Sequence, residues 1–137
     1  MRPDLDHHTL VYEHADDHIL VKGDPLRLEQ VVHNLVNNAA KYSPAGGDVT
    51  VRVERQAEAA LLTVSDEGLG IPAGALSQLF QRFYRADNVA AHHISGMGIG
   101  LYVVREIVTR HGGTVDVTST EGVGSTFTVR LPLTTME

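Results

Sequence analysis

The sequence predicts an α/β fold: a two-layer sandwich in which about three helices cover one face of a mixed, mostly antiparallel sheet of about five strands. Three observations lead there. Two long stretches repeat their apolar residues at the spacing of an amphipathic helix. Short runs rich in β-branched residues come in neighbouring pairs joined by turn-forming residues, the mark of antiparallel hairpins. The two kinds of element alternate irregularly, which favours helices on one side of a mixed sheet.

Taken in order, MRPDLDHHTLVYEHADDHILVKG reads as two short strands, near 9–13 and 18–21, with a polar turn between them. In GDPLRLEQVVHNLVNNAAKYSP, Asp24 suits a helix N-cap and Pro25 the first helical position. This helix runs to about Tyr42 and stops before Pro44. VTVRVE (49–54) and LLTVS (61–65) form a hairpin, and IPAGALSQLF a short helix. Residues 84–97 lack periodicity and read as a loop. LYVVREIVTRH is a second long helix, ended by Gly112, with His111 as a partner for its C-terminal dipole. TVDVTST and STFTVRL, separated by EGVG, make the last hairpin.

The 137 residues suffice for one compact domain with a real core. With 42% hydrophobic and 20% charged residues, the chain is an ordinary globular one. A formal net charge of −6, from 11 Lys and Arg against 17 Asp and Glu, argues against a nucleic-acid binder. No apolar run approaches the ~18 residues of a membrane span and no signal peptide is visible, so no direct membrane contact is expected of this segment. The absence of cysteine removes disulfides and thiol chemistry. The eight histidines include the adjacent pairs His7-His8 and His92-His93, which do not share a helix face, and no metal-site spacing accompanies them. Residues 1–137 read as a single domain whose opening resembles a boundary within a longer protein.

Three stretches carry candidate chemistry. At about 100° per residue, Leu28, Val32, Leu35, Val36 and Ala39 gather on one side of the first helix as its core stripe. Asn34, Asn38 and Lys41 share a second face beside it. Asparagine is a poor helix former, and Asn34, Asn37 and Asn38 all lie inside this helix. The face is either simply solvated or a place where an amide oxygen meets a hard cation and the lysine reaches a phosphate. Mg²⁺ accepts few protein ligands together with phosphates and waters, so one asparagine is enough. SDEGLGIP (65–72) puts Asp66 at a strand end, followed by alternate glycines. It is either a tight loop with glycines at positive φ or a seat for a flat ring whose exocyclic N–H the carboxylate accepts. Such a bond contributes about 1.5–3 kcal/mol, and the 6-amino group of adenine is a suitable donor. In SGMGIGLYVVREIVTRHGG, Gly96, Gly98 and Gly100 immediately precede a helix. They serve either as a flexible hinge or to bring an anion to the helix start. No GxxxxGK[ST] motif occurs, so any phosphate grip differs from the P-loop.

The order of these motifs, from the asparagine helix through DxGxG, FxRFYR and GxGxGL to GxGSTF, closely resembles the catalytic ATP-binding domain of bacterial sensor histidine kinases. That domain has the Bergerat fold, shared with DNA gyrase, heat-shock chaperone and mismatch-repair ATPases. The resemblance runs from about Asp24 to Pro132. It implies ATP and Mg²⁺ as cofactors and assigns the residues as follows. HNLVNNAAKYSP is similar to the N box, in which Asn38 matches the Mg²⁺ ligand and Asn34 and Lys41 the phosphate- and metal-facing positions, making these three the implied catalytic residues. Tyr42 matches a residue near the base or sugar. DEGLG resembles the G1 box, with Asp66 on the adenine amino group and Gly68, Gly70 and Ile71 around the base. LFQRFYRAD is similar to the F box. There Phe80 and Phe83 anchor the base of a mobile lid, and Arg82 and Arg85 are either phosphate-facing or ordinary exposed arginines. GMGIGL resembles the G2 box, whose Gly96, Met97, Gly98, Ile99, Gly100 and Leu101 allow a lid to close over a triphosphate. GVGSTF resembles the G3 box, from which Thr126 approaches the nucleotide, although a plain turn and strand explain those residues nearly as well.

Within the superfamily, the hydrolysing branches resemble one another in a glutamate one turn before the Mg²⁺ asparagine. Here that place is Asn34, and Glu29, the only carboxylate in the helix, projects about 180° from Asn38. The reading is therefore a protein histidine kinase domain that transfers the γ-phosphoryl group to a histidine elsewhere. None of the eight histidines has the family's phosphoacceptor setting. The resemblance thus implies a separate dimerisation and phosphoacceptor helical domain as partner. A response regulator follows indirectly, the location is cytoplasmic, and the chain cannot phosphorylate itself alone. Two alternatives are a serine kinase of the anti-sigma type, against which FxRFYRAD speaks, and a degenerate nucleotide-sensing module, against which the intact boxes speak.

Overall fold

The computed structural model describes residues 8–14, 21–41, 46–71, 73–81 and 100–133; of 8–14, Lys41 and Ala73 only the backbone is described. The elements are strand β1 (His8–His14), helix α1 (Pro25–Lys41), strands β2 (Gly47–Gln56) and β3 (Ala59–Asp66), a 3₁₀ segment (Ala73–Gln78), helix α2 (Gly100–Arg110), and strands β4 (Thr114–Thr120) and β5 (Gly124–Pro132). The five strands form one sheet in the order β1-β2-β3-β5-β4. β1 runs parallel to β2, and every other neighbouring pair is antiparallel. The mixed, mostly antiparallel two-layer sandwich expected from the sequence is the fold observed.

Local chemistry explains the element boundaries. Asp24 caps α1, its Oδ1 accepting the N–H groups of Leu26 at 3.0 Å and Arg27 at 3.4 Å. The β2–β3 turn places Ala57 at φ 55°, a left-handed conformation for a residue with a Cβ. α2 ends in a Schellman motif. Gly113 N–H donates to Val108 O and Gly112 N–H to Thr109 O, both at 3.0 Å, with Gly112 at φ 78°.

The core lies between the helices and one face of the sheet. Val31, Leu35, Val36 and Ala39 of α1 meet Val104, Ile107 and Val108 of α2 over Val49, Val51, Val64, Phe127 and Val129. Burying each aliphatic side chain of this kind contributes about 1.5–3 kcal/mol. The α1 stripe is broader than its spacing suggested: Val31 is buried at its centre, while Leu28 and Val32 only flank the core. Phe80 packs edge-on against Phe127, with ring centroids 6.2 Å apart.

Other differences from expectation concern short segments. The short helix expected within IPAGALSQLF is the six-residue 3₁₀ segment Ala73–Gln78, too short to recover the cost of nucleating an α-helix. The second expected N-terminal strand falls mostly outside the described residues; only Val21 is seen, in an isolated antiparallel bridge to Leu133. The expected loop at 84–97 also lies outside them.

Candidate functional site

α1 and α2 pack antiparallel, and each end of the pair carries a polar tie. At one end Asn34 Nδ2 donates to the carbonyl of Gly100, the first residue of α2, at 3.4 Å, a long and weak bond. At the other, Asp24 N–H donates to His111 Nε2 at 3.0 Å, and His111 Nδ1 lies 2.7 Å from Ile107 O. The ring thus bridges the end of α2 and the start of α1, with Nε2 accepting the Asp24 amide and Nδ1 against the Ile107 carbonyl. The ring faces Gly23, where a Cβ would sit 2.3 Å from His111 Cδ2.

The asparagine face of α1 is present as expected. Asn34, Asn37 and Asn38 are half-buried, and the Asn38 side chain makes no hydrogen bond among the described residues. A half-buried amide oxygen without an internal partner is a suitable ligand for a hard cation that keeps most of its waters. No cluster of three or more His, Asp or Glu side chains able to hold a metal occurs among the described residues.

The DxGxG stretch leaves the end of β3 as a loop with close fits. Asp66 Oδ1 accepts Gly68 N–H at 2.9 Å, closing a small side-chain turn. Glu67 Oε1 accepts Asp48 N–H at 2.8 Å. Gly70 is buried at φ +69°, and a Cβ there would lie 2.1 Å from Thr120 O. The β4–β5 turn fits equally closely from its side, for a Cβ at Gly124 would lie 2.1 Å from Asp66 O. Gly122 N–H donates to Leu69 O at 2.7 Å, and Ile71 N–H to Ser119 Oγ at 2.8 Å. The loop after β3 and the turn before β5 are thus one packed unit.

The register of β5 sets the faces on which Ser125 and Thr126 lie. Val64 pairs with Phe127, and both are buried on the helix-covered face. By two-residue alternation Thr126 and Ser65 point to the other face, where their hydroxyls lie 2.9 Å apart. Ser125 is the residue on the inner face; it is 7% exposed and in register with Asp66. Sequence reasoning missed it, although counting back by two from the apolar Phe127 would have found it.

Asn34, Asn38, Asp66, Gly68, Gly70, Ile71, Gly100 and Leu101 are all described. Ile71 and Leu101 pack against the core, and Gly100 is exposed. Lys41 ends α1, while Tyr42, Arg82, Phe83, Arg85, Gly96, Met97, Gly98 and Ile99 lie outside the described residues. A separate cavity of about 350 Å³ runs along α2 from Tyr102 to His111, with Arg27, Glu106 and Arg110 also in its lining. None of the expected site residues lines it.

Residues 23–135 match the family described as histidine kinase-, DNA gyrase B- and HSP90-like ATPase. The chain belongs to this family. Relatives agree with the assignment. The chain is 42% identical over 115 residues to the circadian input-output histidine kinase CikA of Synechococcus elongatus, covering 84% of this chain and 15% of that protein. It is 41% identical over 119 residues to the sensor histidine kinase WalK of Bacillus subtilis, covering 85% of this chain and 20% of that protein. It therefore spans about a fifth or less of these relatives. Among solved structures, a mycobacterial sensor histidine kinase, MprB, superposes with a TM-score of 0.78 at 32% identity, covering 93% of this chain and 86% of that one. Full-length ShkA in complex with AMPPNP superposes with a TM-score of 0.80 at 25% identity, covering 94% of this chain and 26% of that one. This family is the ATP-binding domain of such kinases, as the order of motifs implied.

Proposed function

We propose that this domain binds Mg·ATP and donates the γ-phosphoryl group to a histidine on a separate dimerisation and phosphoacceptor domain of a parent kinase, in two-component signalling. The observation that carries the reading is the family match over residues 23–135, with Asp66 at the mouth of its packed loop and the asparagine face of α1. Asp66 Oδ1 accepts Gly68 N–H, which fixes the carboxylate at the end of β3, and a carboxylate held there is a suitable acceptor for the 6-amino group of adenine. Gly68, Gly70 and Ile71 shape the surface for the base. Asn38 holds Mg²⁺, which when bound neutralises phosphate charge. Asn34 and Lys41 face the phosphates and the metal, and Tyr42 lies near the base or sugar. Phe83 and Arg85 belong to the lid, with Gly96, Met97, Gly98, Ile99, Gly100 and Leu101 closing on the triphosphate at the start of α2.

The attacking atom is an unprotonated imidazole nitrogen of the partner. Its lone pair forms the new N–P bond while the P–O bond to the β-phosphate breaks, and ADP leaves with that electron pair. A neutral imidazole is already nucleophilic near pH 7, so positioning and charge neutralisation supply most of the catalysis. Hydrolysis is disfavoured because Asn34, an amide, cannot act as a general base, and the one carboxylate of α1, Glu29, is exposed. The domain belongs to the cytoplasmic portion of a membrane-bound parent kinase, with a response regulator downstream. Among the described residues no helix is long and apolar enough to cross a membrane.

The test is Mg²⁺-dependent binding of a non-hydrolysable ATP analogue to wild type, Asp66→Asn and Asn38→Asp, together with labelled ATP and an added phosphoacceptor hairpin. The first variant should lose adenine selectivity and the second its metal dependence, and label should appear on the hairpin only. Unchanged binding in both variants, or stable label on this domain by itself, refutes the reading.

A further inference from the structure

We infer that Ser119, a β4 residue outside every motif named above, is a positioning residue for purine recognition. A serine hydroxyl has one proton to donate and two lone pairs to accept with. Ser119 Oγ donates to Gly124 O at 2.9 Å and accepts Ile71 N–H at 2.8 Å. Its third contact is Ser125 Oγ at 2.8 Å. With the Ser119 proton already committed to a carbonyl, Ser125 is the donor in that pair. Every hydrogen-bonding capacity of the hydroxyl is thereby used, and the three partners come from two different places in the chain.

The consequence is a fixed exit for the loop after β3. Its entrance is set by the end of the strand and by the Asp66–Gly68 turn, and its middle by Leu69 O on Gly122 N–H. Its exit, at Ile71, is held by a side chain 48 residues further along. Among the described residues Ser119 is the side chain that joins this exit to the β4–β5 turn, and it does so without lying in the asparagine face or at the start of α2. Removing it frees a half-buried N–H at Ile71 and loosens the seat on which Asp66 is aimed. The inference rests on the proposed role of Asp66 in holding adenine.

The experiment compares wild type, Ser119→Ala, Ser119→Thr and the outer-face control Thr118→Ala. Three quantities are read: the Kd of a non-hydrolysable ATP analogue and of its guanine counterpart, kcat and KM for phosphotransfer to an added phosphoacceptor hairpin, and amide exchange at Ile71. Ser119→Ala should raise the Kd for the adenine analogue about tenfold, equivalent to about 1.4 kcal/mol. It should narrow the adenine–guanine ratio, raise KM in step, leave kcat within about twofold, and speed exchange at Ile71 while exchange at Val64 is unchanged. Ser119→Thr, which keeps the hydroxyl, should restore most of the affinity, and Thr118→Ala should match wild type. If Ser119→Ala does not fold, Ser119→Cys, a weaker donor and acceptor of similar size, should show the same pattern. Wild-type affinity, an unchanged base preference or unchanged exchange at Ile71 overturns the inference. When Asp66→Asn alone loses selectivity, the inference fails and the proposed function stands; when neither variant does, the proposed function fails.

Discussion

Gly70→Ala would place a methyl group where the β4–β5 turn already lies. The new Cβ would be 2.1 Å from Thr120 O and 2.7 Å from Glu121 Cα, both backbone atoms that no rotamer change can move aside. The residue would also have to hold φ +69°. Left-handed backbone costs a side-chain-bearing residue about 1–2 kcal/mol, and overpacking a tight contact costs about 1–3 kcal/mol. Together they give about 2–5 kcal/mol, a large share of the ~5–15 kcal/mol of a typical domain. Relief requires the turn to swing away, breaking the 2.7 Å bond from Gly122 N–H to Leu69 O and the 2.8 Å bond from Ile71 N–H to Ser119 Oγ. Urea unfolding is the assay. With m of about 1–3 kcal/mol/M, the midpoint should fall by about 1–3 M, and affinity for the ATP analogue should fall with it. Gly100→Ala is the control: nothing lies within 4 Å of its Cβ position, and its midpoint should stay put or rise slightly. A stability for Gly70→Ala within about 0.5 kcal/mol of wild type would show that the two turns do not need this close approach.

Three further outcomes follow from the geometry. Ala57→Gly should stabilise the domain by about 0.5–1.5 kcal/mol, since glycine adopts φ 55° without penalty, and a higher urea midpoint checks it. Gly23→Ala should destabilise wild type by about 1–3 kcal/mol through collision with the His111 ring but cost much less beside His111→Ala, a non-additivity visible in a double-mutant cycle. Leu35→Ala, at a position 1% exposed between the helices and the sheet, should cost about 2–5 kcal/mol in the same unfolding assay.

Much of this was legible because it depends on local periodicity and local turns. Both long helices, the Asp24 cap, the Gly112 stop and both hairpins follow from neighbouring residues, and the loop after Asp66 was recognisable from its alternate glycines. What escaped is set by distant partners. The parallel pairing of β1 with β2 joins segments about 40 residues apart and leaves no trace in the alternation of either one. Ser125 and Thr126 are one residue apart and so lie on opposite faces of the sheet, and the pairing of β5 with β3, not the local sequence, sets which of them is on the helix-covered side. Ser119 looked like one more polar residue in an edge strand, because its significance lies in an amide 48 positions away. His111 was placed correctly at the helix end, but its second partner, Asp24 N–H, is 87 residues distant.

The strand order has a kinetic meaning. β5 sits between β3 and β4, so the last strand among the described residues is an interior one, and β4 pairs with β5 alone among them. On the ribosome, a nascent chain halted before Gly124 holds the hairpin of β2 and β3 with one side open and β4 without a neighbour. Closure waits for Gly124–Pro132 to emerge and thread between two waiting segments, a long-range step that slows folding. The acidic end of β3 gains its support in that same late event, so the proposed competence to bind a purine should arise abruptly, and only once β5 is in place.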